Sequence, residues 1–176
     1  MKLWIRAILF TLLIPGSVAV LIPWLLSRSF ATTLDLGPGR FAGIPVLACG
    51  AVLYLTSVLS FVVRGKGTPA IWFVRPLRTV IGEEPETLVK GAFYRWTRNP
   101  MYLGVVLSVF GQALLFDDLS YHFYGAGLWI LFHVVVVILE EPHLRRKYGE
   151  AYVAYCRTTP RWIGFPGDRG EPPGKD

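Results

Sequence analysis

Four apolar runs, separated by polar stretches of unlike character, organise this chain. The first extends from about Leu3 to Leu26 and carries Pro15, Gly16 and Pro23, which predict kinks in an otherwise helical segment. The second, Phe41 to Val63, has 23 residues and no charge. About 20 apolar residues suffice to span a bilayer as a helix. The third, Met101 to Phe116, is shorter, with 16 residues. Asp117-Asp118-Leu119-Ser120 then predicts a tight turn, and the fourth run, Tyr121 to Leu139, returns. Between the first two runs, Ser27 to Arg40 reads as a linker ending in the turn signal Gly37-Pro38-Gly39. Arg64 to Arg98 is polar and rich in glycine and proline. Pro142 to about Arg157 reads as a tail helix with proline in its first turn.

The predicted architecture is therefore all-α and integral to the membrane. It has about four transmembrane helices, a C-terminal helical hairpin and an amphipathic tail helix on the cytoplasmic side. Residues 1–166 form one domain without internal repeats. Residues 167–176, rich in glycine, proline and charge, are expected to be disordered.

Composition supports this reading. Of 176 residues, 53% are hydrophobic and only 17% charged, against about 25% charge in a typical soluble domain. The net charge is +6, but the basic residues flank apolar runs. Anionic lipid head groups or an anionic substrate are simpler partners than nucleic acid. Sixteen of the 18 Lys and Arg residues lie in the N-terminal stretch, in Arg64–Arg98 or after Glu140. By the positive-inside rule those segments face the cytoplasm, with both termini inside. Lys2 and Arg6 before an apolar stretch resemble a secretory leader, yet no small-residue cleavage site follows, so a retained first helix is expected. Cys49 lies in an apolar run and Cys156 in the tail, so no disulfide is expected, and no metal-ligand spacing links them to His122, His133 or His143.

The hairpin spacing carries a geometric consequence. Asn99 lies about 20 residues before the turn and Glu140 about 21 after it, so at 1.5 Å per residue both stand about 30 Å from it. Arg98-Asn99-Pro100 and Glu140-Glu141 should meet at one membrane boundary. With Tyr102 they could recognise a small zwitterion. The bland alternative is ordinary helix-end chemistry, with Pro100 starting a helix and charges marking the edge of the membrane. Glu141, Leu144, Tyr148, Tyr152 and Tyr155 fall at helical spacing on one face of the tail and could wall a pocket for an aromatic base. An interfacial helix with head-group tyrosines would look the same. Arg161 and Trp162 follow Pro160, where the chain could turn back to the hairpin. In Arg64-Gly65-Lys66-Gly67-Thr68-Pro69, two glycines one residue apart permit close backbone approach to a ligand, or simply a flexible helix exit.

Together these pieces resemble the isoprenylcysteine carboxyl methyltransferase and phospholipid methyltransferase superfamily of membrane enzymes. The matching residues are Gly65-Lys66-Gly67-Thr68-Pro69, the run from Gly91 through Arg98-Asn99-Pro100-Met101-Tyr102-Leu103-Gly104, Glu140-Glu141-Pro142 through Gly149, then Tyr152, Tyr155 and Pro160-Arg161-Trp162. The resemblance implies S-adenosylmethionine as methyl donor and a donor pocket between the last hairpin and the tail, open to the cytoplasm. It implies a lipophilic or small acceptor, and a bacterial-type enzyme of the inner membrane. Eukaryotic prenylcysteine members usually carry His where this chain has Asn99, so their substrate does not transfer. The implied donor-site residues are Gly65, Gly67, Arg98, Asn99, Pro100, Tyr102, Gly104, Glu140, Glu141, Tyr152 and Arg161. Glu140 or Glu141 could hold the donor's ribose hydroxyls or amino group, and Arg98 or Arg161 its carboxylate or an anionic acceptor. No residue is assigned as a catalytic base, Arg98 and Arg161 being candidates for positioning, and no metal is expected. Two rivals remain at this level. An NADPH-dependent sterol or steroid reductase shares part of the tail pattern, although Asn99 before Pro100 and Val105 after Gly104 argue against it. A scaffold or transporter subunit explains the passes, but not the clusters meeting at one depth.

Overall fold

A computed structural model describes residues 3–30, 32–65, 85 and 87–164. The described residues are helices and turns with no strand. Three helical stretches are long and apolar enough to cross a membrane: Leu3–Ser29, Gly37–Val63 and Leu119–Tyr148. A shorter apolar helix, Pro100–Phe116, has 17 residues. Four passes are thus laid out in the expected order.

The first span combines α1 (Leu3–Leu13), a π turn (Ser17–Leu21) and α2 (Ile22–Phe30), so helix occupies the beginning of the expected linker. Pro15 has no N–H to donate, and the chain absorbs this defect by widening into the π turn. Backbone carbonyls there are claimed by side chains from other spans. Gln112 Nε2 donates to the Ala19 carbonyl at 2.8 Å, and Tyr124 Oη donates to that of Val18 at 2.7 Å. In a hydrocarbon setting such carbonyls have no water to turn to, so these bonds fix the kink against its neighbours.

A 3₁₀ turn, Gly37–Ala42, leads into α3 (Gly43–Val63). A second 3₁₀ turn, Ala92–Arg95, precedes α4 (Pro100–Phe116), with Pro100 at its first position. The α4–α5 turn carries Asp117 in the left-handed conformation, and Asp118 caps α5 (Leu119–Val135) by accepting from the Ser120 N–H at 2.8 Å. The first loop is tied to this turn by the Leu36 N–H, which donates to the Asp117 carboxylate at 3.0 Å.

Two further boundaries differ from the sequence reading. The fourth pass does not stop at Leu139: α5 continues through a π turn (Val136–Glu140) into α6 (Glu141–Tyr148). The π turn lets the helix accommodate Pro142, which cannot donate to the preceding turn. The tail is then not one helix over 142–157. Gly149, at φ 53° and ψ −133°, breaks it into α6 and α7 (Glu150–Thr158). That backbone conformation excludes residues bearing a Cβ, so the glycine sets the bend. The expected disordered tail, 167–176, lies outside the described residues.

α3 and α4 form the tightest contact. A Cβ on Gly104 would stand 2.7 Å from the Tyr54 nitrogen and 2.8 Å from the Gly50 carbonyl, so the backbones touch where the glycines face each other. Small residues permit this approach and supply the van der Waals packing that holds membrane helices together. Beside it, Tyr54, Val105, Val106, Val109 and Leu128 form the buried core, while Leu12, Phe116, Phe123, Ile130 and Ile138 point outward as a lipid-facing surface. Gly104→Leu should therefore cost at least about 2 kcal/mol through overpacking. A detergent melting curve reads it, and an unchanged midpoint would mean the α3–α4 contact is not close.

Candidate active site

At the charged end of the bundle, three pieces of chain meet. The turn before α4 supplies Thr97, Arg98 and Asn99. The π turn and α6 supply Glu140 and Glu141. The segment after α7 supplies Pro160 and Arg161. The last segment straps the first in place. The Arg98 N–H donates to the Pro160 carbonyl at 2.9 Å, and the Thr97 hydroxyl and Asn99 Nδ2 both donate to the Arg161 carbonyl, at 3.1 and 3.0 Å. Within the turn, the Asn99 N–H donates to Thr97 Oγ1 at 3.1 Å. Trp162 pins the strap to α5: its Nε1 donates to His133 Nδ1 at 3.0 Å, and its ring lies 4.3 Å from that of Trp129.

The two adjacent glutamates do different things. Successive helical residues point roughly 100° apart, as 3.6 residues per turn requires. Glu140 faces a large cavity, where its Oε2 accepts from Tyr102 Oη at 2.8 Å. Glu141 turns the other way into an arginine layer. Arg161 grips it through Nε at 2.6 Å and Nη2 at 3.0 Å, and Arg98 Nη1 stands 3.1 Å from Oε1. Such two-point guanidinium–carboxylate pairs are the strong ones. Arg98 also donates to Tyr152 Oη at 3.4 Å and to the Cys156 sulfur. The Arg98 side chain is only 5% exposed, and its Nε finds no hydrogen-bond partner among the described residues.

The cavity has a volume of about 170 Å³ and is open at one side. It has two ends. Arg98, Asn99, Tyr102, Glu140, His143 and Tyr148 make one end polar. Phe10, Ile14, Pro15, Val18, Val105 and Phe132, drawn from the first span, α4 and α5, make the other apolar. Tyr94, Tyr152 and Tyr155 also line the cavity. Burial pushes the phenols of Tyr94, Tyr152 and Tyr155 above their ordinary range, so all three stay protonated at neutral pH. They also brace the tail: Tyr155 Oη donates to the Tyr94 carbonyl at 2.6 Å, and Tyr148 Oη to that of Pro85 at 2.7 Å. Arg161 is held above its usual range chiefly by its hydrogen bond to Glu141.

Among the residues singled out in sequence, Arg98, Asn99, Tyr102, Glu140 and Tyr152 line the cavity together. Glu141 and Arg161 line a separate cleft, because each neutralises the other. Gly104 faces α3 and not the cavity, for the packing reason given above. Pro100 is buried as the first residue of α4. Gly65 is buried, with Pro85 Cβ 2.9 Å from where its own Cβ would be, so it permits close packing of the neighbouring segment. Gly67 lies outside the described residues. Sequence reasoning did not anticipate His143, nor the wall from Phe10, Ile14, Pro15 and Val18. The kink signal at Pro15-Gly16 was the visible hint of the latter.

A family model described as phospholipid methyltransferase matches residues 39–151, which include Arg98, Asn99, Tyr102, Glu140 and Glu141. No curated protein and no solved structure matches the chain.

Proposed function

This chain belongs to the phospholipid methyltransferase family and is an integral membrane methyltransferase; from that premise we propose that it uses S-adenosylmethionine to methylate a lipophilic or small acceptor at the cytoplasmic membrane face. The observation that carries this reading is the two-ended cavity, with a carboxylate and an arginine at one end and apolar membrane-helix side chains at the other. The donor set suits S-adenosylmethionine. Glu140 offers a carboxylate to an ammonium or a ribose diol. Arg98 offers a buried guanidinium to a carboxylate, and its Nε has an unmet demand for an acceptor. The tyrosine walls offer flat apolar faces to a purine.

When bound, the donor would supply an electrophilic methyl on a sulfonium sulfur, its thioether being the leaving group towards a carboxylate, amine or thiol acceptor. The chain's contribution is positioning and exclusion of water. Tyr102 orients the Glu140 carboxylate, the strap holds the Arg98-Asn99 backbone, and Tyr152 with Tyr155 closes one side. Holding two reactants in line is worth several orders of magnitude in rate. The apolar arm suits the chain of a membrane-borne acceptor entering past α1. No side chain is assigned as a general base.

The basic end, carrying most of the 18 Lys and Arg residues, is assigned to the cytoplasm with both termini inside, consistent with a bacterial inner-membrane enzyme. Calorimetry on the detergent-purified protein tests the donor assignment. S-adenosylmethionine should bind saturably and NADPH should not. Binding of NADPH alone would instead point to a reductase.

A further inference from the structure

The cleft that holds Glu141 is a different site from the cavity, with Arg98 standing between the two. Four arginines converge there, Arg98, Arg145, Arg157 and Arg161, around the single carboxylate of Glu141. They come from four parts of the chain: the turn before α4, α6, α7 and the strap. Their relative positions are fixed by the bend at Gly149 and by the strap's hydrogen bonds.

The charge balance is unfavourable as it stands. Glu141 is shared by Arg161 and Arg98. Arg145 and Arg157 have no ion pair among the described residues. One carboxylate against four guanidiniums leaves three positive charges in a concave space, where they repel each other more than they would on a flat surface. A tetrahedral oxyanion relieves this. Each guanidinium presents a planar fork that matches two phosphate oxygens, and arginine is favoured over lysine where that geometry is used.

We propose that this cleft binds a phosphate-type anion, either the phosphodiester of an anionic lipid head group or a soluble phosphate. Arg145 and Arg157 are its principal ligands, and Arg161 contributes while keeping its grip on Glu141. The proposal does not rest on the methyl donor, since neither Arg145 nor Arg157 lines the cavity.

The test is the melting temperature of the purified full-length protein in two arms. In neutral detergent, inorganic phosphate is titrated against sodium chloride at equal ionic strength. In nanodiscs in phosphate-free buffer, anionic phosphatidylglycerol replaces zwitterionic phosphatidylcholine stepwise. The native protein should show a saturable rise in at least one arm. The double variant Arg145→Gln/Arg157→Gln should melt at or slightly above the native temperature without ligand, since repulsion is relieved, and need at least tenfold more ligand for the same rise. A rise with inorganic phosphate identifies a soluble anion; a rise confined to phosphatidylglycerol identifies a head group. If the double variant folds poorly, Arg157→Lys, which keeps the charge but loses the fork, should weaken the same response severalfold. No rise in either arm, or an equal rise in the variants, overturns the proposal.

Discussion

Glu140→Gln should weaken S-adenosylmethionine binding by one to two orders of magnitude while leaving the ligand-free protein folded. The glutamine keeps the shape and can still accept from Tyr102, whose hydroxyl lies 2.8 Å from the native carboxylate. What it loses is the negative charge at the polar end of the cavity. A hydrogen bond to a charged group is worth about 1.5–3 kcal/mol, and each 1.4 kcal/mol is about tenfold in affinity. Tyr102→Phe should have a smaller effect, severalfold, because it frees the carboxylate to rotate without removing it. Calorimetry reads both. An unaltered affinity in Glu140→Gln would remove this residue from the donor site.

Glu141→Ala should act on stability. The Arg98 side chain is only 5% exposed, and its ionic partner is Glu141. Deleting one member of a buried pair strands the other charge, at a cost of about 3–5 kcal/mol. The Arg161 side chain is 32% exposed and regains water, so most of the loss comes from Arg98. At about 2–4 °C per kcal/mol for a chain of this size, the melting midpoint should fall by roughly 10 °C. The two glutamates are therefore separable by experiment. If Glu141→Ala left the melting temperature intact but abolished donor binding, their roles as assigned here would be reversed.

The meeting of the Arg98 and Glu141 neighbourhoods was legible from residue spacing alone, because two antiparallel helices of equal length must align their ends. Their side chains do meet, at 3.1 Å. The division of labour between Glu140 and Glu141 was not legible. It depends on the π turn Val136–Glu140, which adds a residue to one turn and rotates everything after it. The first span's place in the cavity was equally hidden. Phe10 is buried at 2% exposure and Leu12 lies 64% exposed to the outside, yet in sequence both are simply apolar. In a membrane the lipid-facing and core-facing positions share one chemistry, so hydrophobic patterning does not sort them. Gly104 shows the converse problem. A glycine inside a recognised motif suggested a ligand contact, but its missing Cβ serves the approach of α3.

The strap also sets an order on biosynthesis. Pro160 and Arg161 lie beyond the membrane-crossing helices of the described residues, and translation proceeds from the N-terminus. The first spans can enter the bilayer, and α3 and α4 can lock through their glycines, before the residues that fasten Arg98 and Asn99 emerge from the ribosome. A nascent protein would thus be inserted and packed while its catalytic end was still open. Arrival of the strap would be the event that turns an inserted polypeptide into a competent enzyme.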